Sequence, residues 1–330
     1  MGKLTSSISL TLDLKDRKLL YFLDQNSRMT NKELGRKVGL TEQAIGYRIN
    51  RFLEQGVIKK FVAFINTPAL GYSQYKVFLK LQNTSVHVEQ QMIDYLVHCD
   101  QIRWVASTSG KYDLSFSVLA KDPFSFLSFY QSFEKEYGKY ILEKNIVTLV
   151  YAPSFTRDYL FGKKESRLLE YGISKEKIDL DKKDFLILKS LSQSARKNIV
   201  AIAAELTLSV DVVKYRLEKL KKQNVINGFT LQLDLQKLGL EYYSVFFYTS
   251  TLSEKIRRQM LHFAEQHSHI LYLGIVLGNY DFQLEFEVEN YFQLEQELKE
   301  FRLQFGESIR DFEILRVTQE FKYNFFPFTV

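Results

Sequence analysis

Two stretches of the chain share one skeleton. TSGKYDLSF, Thr108 to Phe116, and VLGNYDFQLEF, Val276 to Phe286, each read Gly-x-Tyr-Asp and then an alternating strand. Asp281 minus Asp113 is 168, about half of the 330 residues. The same offset carries Gly110 onto Gly278, Gly71 onto Gly239, Tyr47 onto Tyr215, Arg48 onto Arg216 and Arg28 onto Arg196. It runs ungapped from about Arg28 to about Ile146; upstream, matching Leu12–Leu14 to Ile178–Leu180 asks for two extra residues. Periods of roughly 20–50 residues build solenoids. A period this long is a whole protomer, so the chain reads as two protomers fused in tandem.

Composition narrows the class. A formal charge of +6 favours a polyanionic partner without demanding one. Cys99 is the sole cysteine, which excludes an intramolecular disulfide and a cysteine-based metal cluster. The start, MGKLTSSISL, lacks the apolar core of a signal peptide, and no apolar run is long enough to cross a bilayer. A cytoplasmic protein with no membrane partner is expected. Gly2 followed by Ser6 fits a myristoylation signal only loosely, and an ordinary chain start is the simpler account.

Each copy changes hydrophobic period midway. In the first part Leu19, Leu20 and Leu23 form one helical stripe, Leu34 and Val38 a second, and Ile45, Ile49, Phe52 and Leu53 a third. Between the last two lies VGLT, where Gly39 suits a left-handed turn and Thr41 suits a helix cap. With the GVIKKFVAFI hairpin these are the elements of a winged helix-turn-helix. Copy two repeats the stripes with Ile187, Leu188 and Leu191, then Ile202 and Leu206, then Val213, Leu217 and Leu220.

The second part switches to period two. Tyr75, Val77, Leu79 and Leu81 share one face with Lys76 and Lys80 on the other; Phe282, Leu284, Phe286 and Val288 face in while Gln283, Glu285 and Glu287 face out. Helical stretches near Val88–Val97 and Phe124–Tyr137 intervene, giving the order βαββαβ of a ferredoxin-like sandwich. The fold class is therefore α+β, a tandem repeat of winged helix-turn-helix followed by a ferredoxin-like domain. The expected divisions are 10–66 and 178–234 for the two winged helix-turn-helices, 70–155 and 238–325 for the two ferredoxin-like domains, and a connector over 156–177.

At this point LDLKDRKLLYFL, KELGRKVGLTEQAIGYRINRFLEQGVIKKF and SGKYD together resemble the Lrp/AsnC family of transcription regulators. The resemblance covers nearly the whole chain twice, apart from the connector. It implies a βαββαβ effector domain of the RAM/AsnC type after each helix-turn-helix. Members usually carry one copy and assemble as dimers or larger rings. The resemblance thus implies that one chain here equals one dimer, with further self-association through the effector domains.

A reading helix needs outward side chains for base edges and cations nearby for phosphates. Copy one offers Thr41, Gln43, Gly46, Tyr47 and Asn50, with Arg48 and Arg51 alongside and Lys59 and Lys60 in the wing. Gln43 and Asn50 suit adenine edges. Copy two offers Ser209, Lys214, Tyr215 and Lys219 and retains Arg216. The same pattern also fits the solvated face of an amphipathic helix. Thr207 stands where copy one has Gly39, and Asn224 where it has Gly56, so whether the second head still reads double-stranded DNA stays open. The outward residues of TEQAIGYRIN and SVDVVKYRLE differ, so the operator is expected to be asymmetric.

By the resemblance, an effector such as an amino acid would bind near the repeated turns, at Gly110, Lys111, Tyr112 and Asp113 and at Gly278, Asn279, Tyr280 and Asp281. Gly-x-Tyr-Asp is equally a good hairpin turn. No cofactor is expected. SGK at Ser109–Lys111 lacks the upstream glycine of a phosphate loop. His262, His267 and His269 close a helix without metal-ligand spacing. Phe124, Leu127, Phe129, Phe133 and Tyr137 sit at core spacing, and the aromatic tail FKYNFFPFTV suits intramolecular packing or an oligomer contact. Two alternatives to a non-enzymatic regulator remain. One is a low-specificity architectural DNA-binding protein. The other is an enzyme like the haem-pathway decarboxylases that resemble this family in fold, for which the strands supply mainly Arg103 and His269.

Overall fold

The computed structural model describes residues 12–162, 167–172 and 177–328. The Gly2–Ser6 stretch, two short pieces of the connector and the last two residues of the tail lie outside these. Copy one runs α1 (Leu14–Gln25), α2 (Asn31–Val38), α3 (Glu42–Glu54), β1 (Ile58–Ile65), β2 (Ser73–Leu81), α4 (Val86–His98), β3 (Ile102–Gly110), β4 (Leu114–Ala120), α5 (Pro123–Tyr137) and β5 (Ile141–Tyr151). Copy two repeats the order: α6 (Lys182–Gln193), α7 (Ile199–Leu206), α8 (Val210–Lys222), β6 (Ile226–Leu233), β7 (Glu241–Thr249), α9 (Glu254–Gln266), β8 (Ile270–Leu277), β9 (Phe282–Val288), α10 (Tyr291–Phe305) and β10 (Ile309–Tyr323). No helix among the described residues is long and apolar enough to cross a membrane.

The offset of 168 reaches further upstream than expected. Asp13 caps α1 and Asp181 caps α6, each accepting a hydrogen bond from a backbone N–H three residues on. The register is therefore Leu12-Asp13 onto Leu180-Asp181 and Asp16 onto Asp184, with no inserted residues. The likeness of Leu12–Leu14 to Ile178–Leu180 was a coincidence of short apolar-acidic runs; helix capping picks out the true register.

All eight strands of the two ferredoxin-like sheets form one closed antiparallel barrel in the order β10-β3-β4-β2-β5-β8-β9-β7. Closure removes every sheet edge. It also corrects the expected polarity of the strands. The outer faces carry α4 and α5, or α9 and α10, over two apolar clusters. The other faces meet across the barrel rather than water, so Gln283 and Glu287, expected to face out, are 2 % exposed, and Lys76 is buried as well. At the pseudo-dyad Phe78 meets its counterpart Phe246 with ring centroids 4.8 Å apart, and Phe246 stacks on Tyr280 at 4.4 Å. A second correction concerns α5, whose Phe124 and Leu127 are exposed while Phe129, Phe133 and Tyr137 are core.

The heads are paired as tightly as the sheets. β1 and β6 form a two-stranded antiparallel ribbon in which Val62 faces its own counterpart, Thr230. Arg28 donates to the carbonyls of Ala195 (2.7 Å) and Lys197 (2.9 Å), and Arg196 returns the contact to Ser27 (2.5 Å) and Met29 (2.9 Å). The same arginines lie over Phe229 and Phe61, again a reciprocal pair.

The connector is a structural element, with Leu169 and Tyr171 buried and Tyr171 sharing a 2.7 Å hydrogen bond with Thr67. Arg157, just after β5, donates to Asp24 of α1 at 2.6 Å and to both carboxylate oxygens of Glu287 at 2.8 and 2.9 Å. The tail packs intramolecularly, Phe325 lying 4.5 Å from Phe64 of the wing ribbon.

The repeated glycines sit where the two copies are sewn together. A Cβ on Gly110 would lie 2.9 Å from the Ile314 carbonyl oxygen, and one on Gly278 would lie 2.5 Å from a Val147 methyl. Gly110→Ala and Gly278→Ala should each cost about 1–3 kcal/mol, the usual penalty of overpacking. Urea midpoints of the two variants against the wild type check this; unchanged midpoints would mean that the seams are loose.

Candidate nucleic-acid interface and repeated turns

The turn before each reading helix is built alike from different residues. Gly39 ends α2 in the left-handed region at φ 76°, and Thr207 ends α7 there at φ 53°. Asn224 at φ 54° likewise keeps the conformation of Gly56 at φ 65°. The second head is thus preserved in shape, at the strain a β-branched residue suffers with positive φ. Thr41 and Ser209 cap α3 and α8, their hydroxyls accepting from the N–H groups of Ala44 and Val212. Their oxygens serve the helix first.

Several expected DNA contacts are already engaged within the fold. Arg48 binds Asp13 at 2.8 Å and Asp16 at 2.5 Å, and Arg51 binds Asp16 at 2.6 Å. Arg216 repeats the clasp on Asp181 at 2.6 Å and Asp184 at 2.7 Å, with Lys219 3.3 Å from Asp184. These residues position the reading helix against the first helix of its head. In the wing, Lys59 lies 3.6 Å from Asp234, while Lys60 is half-buried, with burial and the nearby Lys322 lowering its pKa. Neither resembles a free phosphate-binding cation.

What faces solvent is Gln43, Tyr47 and Asn50 on α3 and Lys214 and Tyr215 on α8, with Gly46 half-exposed among the first group. Tyr47 is 69 % exposed and Tyr215 71 %, high for tyrosine and the same in both heads. Sequence reasoning missed Lys222, which is exposed at the end of α8. Among the described residues, no carboxylate lies within 4 Å of the Lys214 or Lys222 ammonium. Of the two reading helices, α8 therefore carries the freer positive charge, the reverse of the weighting that the altered turns of head two suggest.

The Gly-x-Tyr-Asp turns are largely accounted for by the barrel. Tyr112 and Tyr280 are buried inside it. Asp113 accepts from Lys80 Nζ at 2.9 Å and from the Leu81 N–H at 2.8 Å. Asp281 accepts from the N–H and hydroxyl of Thr249 at 2.6 and 2.9 Å, all through Oδ2. Lys111 reaches across the seam to Glu313 at 2.7 Å, whereas its counterpart Asn279 is exposed. The carboxylate that would hold an effector's ammonium in copy one already holds a lysine. Gly110 and Gly278 are seam residues. The clustered histidines are also engaged: His267 shares hydrogen bonds with the Phe263 carbonyl and Glu300, and His269 with the Glu287 carbonyl and Gln293.

Two outcomes test the heads. Thr207→Gly should stabilise the chain by up to about 1 kcal/mol by relieving positive-φ strain, the glycine's own entropy taking back part of the gain; thermal or urea unfolding reads this. Hydrogen bonds from Arg216 hold the Asp181 carboxyl below its ordinary value; at Asp13 desolvation pushes upward, but Arg48 and the backbone N–H groups of Asp16 and Lys15 together outweigh it. A lowered carboxyl contributes stability above its unfolded pKa, near 3.9, and loses it as pH falls through the folded value. The difference in stability between wild type and Arg216→Ala should therefore shrink below about pH 4. A difference independent of pH would mean that the clasp is not electrostatic.

Comparison with known proteins agrees with this anatomy. The model of winged helix-turn-helix DNA-binding domains matches twice, over residues 12–59 and 180–227, again 168 apart. The HTH-type transcriptional regulator FL11 of Pyrococcus abyssi is 32 % identical over 112 residues, 34 % of this chain and 73 % of that protein. The HTH-type transcriptional regulator Ptr1 of Methanocaldococcus jannaschii is 31 % identical over 112 residues, 34 % of this chain and 74 % of that protein. Among solved structures, the siroheme decarboxylase NirDL superposes with a TM-score of 0.62 at 12 % identity, covering 96 % of this chain and 94 % of that one. At that identity the likeness is one of fold. With two matched heads and regulators aligned over nearly three quarters of their length, the chain belongs to the Lrp/AsnC-type helix-turn-helix regulators, as a tandem pair of protomers.

Proposed function

We propose that the chain is a DNA-binding transcriptional regulator that does as one polypeptide what a dimer does as two. The observation that carries this is the fixed pairing of two winged helix-turn-helices through the β1–β6 ribbon and the reciprocal Arg28 and Arg196 contacts. Such pairing makes sense if two reading helices must meet one duplex in a set geometry. Gln43, Tyr47 and Asn50 on one side and Lys214, Tyr215 and Lys222 on the other are the residues available to touch it. Their difference favours an operator with two unlike half-sites.

Modulation by a small metabolite and self-association of chains are carried forward from the family. Asp281, whose Oδ1 has no hydrogen-bond partner among the described residues, is better suited than Asp113 to an ammonium group. Exposed Phe124, Leu127 and Phe292 on the outer helices suit an apolar contact between chains. The fold is also that of a decarboxylase. The barrel cavity holds about 60 Å³, far below the roughly 300–1,000 Å³ of sites for larger ligands, which argues against a macrocyclic substrate lodging there.

Fluorescence anisotropy with a duplex library across salt concentrations tests the regulator reading. The wild type should bind with a steep negative log–log salt slope, about 0.9 per phosphate neutralised. Lys214→Ala with Lys222→Ala should flatten that slope by about 1–2. Arg48→Ala should instead lower stability with little change in slope. Absence of binding at low salt by folded protein would overturn the proposal, and recovery of strictly palindromic sites would overturn the asymmetric operator.

A further inference from the structure

The two sheets meet unequally inside the barrel. Lys76 on β2 lies 3.1 Å from Glu285 on β9, and Glu285 also accepts from Tyr242 and Gln283. By the offset of 168 the partners of this pair are Ser244 and Ser117, two small residues in place of two long ones. Both serine hydroxyls are buried without a hydrogen-bond partner. The exchange leaves room: the cavity, about 60 Å³, is lined by Ser117, Lys76, Glu285, Arg103 and Trp104 among others. It would hold about two waters at ~30 Å³ each.

Its charge is not balanced. Lys76 is neutralised by Glu285, but among the described residues no carboxylate pairs with Arg103, which is 7 % exposed. The Arg103 guanidinium lies 3.8 Å from the ring centre of Phe325 and 4.4 Å from that of Tyr171, and Nη1 donates to Gln74. Its counterpart in copy two is Leu271, so the cation is not a requirement of the fold. Burying an arginine without an anion is costly. A planar guanidinium fork flanked by a free serine hydroxyl in a small cavity suits one group above others, a carboxylate.

We propose that this cavity binds a small carboxylate, of formate to acetate size, with Arg103 as the cationic anchor and Ser117 as a further donor. The site lies inside the barrel and is separate from the Gly-x-Tyr-Asp turns. Phe325 and Tyr171, which cage Arg103, also pack on Phe64 of the wing ribbon. An occupant would therefore bear on the elements that set the spacing of the heads. That regulatory consequence rests on the regulator reading; binding at Arg103 does not.

Trp104 is the only tryptophan in the chain and lines the cavity, so its fluorescence reports occupancy directly. The full-length protein is titrated with formate and with acetate, using chloride and methylammonium as controls at matched ionic strength. Formate or acetate should give a saturable change that the controls do not. Affinity should fall roughly 10- to 100-fold in Arg103→Gln, the loss of a hydrogen-bonded charge contact. Ser117→Ala, which deletes one hydroxyl and keeps the cage, should weaken it by a few-fold to about tenfold and covers the case in which Arg103→Gln does not fold. A flat response to both carboxylates, an equal response to chloride, or undiminished binding in both folded variants would overturn the proposal. Anisotropy on duplex DNA with and without acetate then reads the coupling separately.

Discussion

Neither half of this chain can finish its own sheet. Each four-stranded ferredoxin-like sheet covers one face with its two helices and leaves the other face and both edges open. The partner copy supplies all three, through β10 against β3, β5 against β8 and the barrel interior. The two glycine turns lie where the foreign strand passes closest, which is why the motif occurs twice. Closure also fixes what lies above it. The wing ribbon and the reciprocal arginines can form only if the two sheets dock with their pseudo-dyads aligned, and the Arg157 cluster ties α1, the connector and β9 into that alignment. Breaking such a buried cluster from one side leaves uncompensated charge, so the heads and the barrel are coupled energetically as well as by chain.

Much of this was legible in the sequence because it depends on short-range pattern. The helical stripes, the period-two strands and the turn residues fixed the order of elements, and α5, for instance, spans Pro123–Tyr137 where the pattern indicates Phe124–Tyr137. What the pattern could not give was the environment of the second sheet face. Alternation at Gln283, Glu285 and Glu287 says that these differ from their neighbours, not whether they meet water or a second sheet. Polar residues inside a barrel look like polar residues on a surface until their partners are known, and Lys76 with Glu285 is a contact across 209 positions.

The same limit explains the reading helices. Arginines at the right helical spacing near a DNA-facing surface are what phosphate binding requires, and also what a clasp on the first helix requires. The discriminating signal was in plain view: Asp13 and Asp16 recur as Asp181 and Asp184 at the offset that carries Arg48 onto Arg216. A cation that repeats together with its own carboxylates is an internal pair before it is a contact with a ligand. Lys214 and Lys222 have no such company, their counterparts in copy one being Gly46 and Glu54.

Fusion changes what symmetry demands. In a two-fold homodimer every contact of residue i with residue j of the partner is repeated as j with i, so a lysine–glutamate pair across the barrel would come twice or not at all. Two covalently joined copies escape that rule. One side keeps the charged pair, the other keeps two serines, and the space between is free for something else. Strain follows the same logic. Thr207 and Asn224 hold left-handed turns that glycine holds in copy one, a cost that one head bears without imposing it on the other. The parts still held to symmetry are those where both copies must fit each other: the seam glycines, the reciprocal arginines, and Phe78 against Phe246. Elsewhere the copies diverge, on the reading helices, in the barrel cavity and even along the seam, where Lys111 pairs with Glu313 but its counterpart is Asn279.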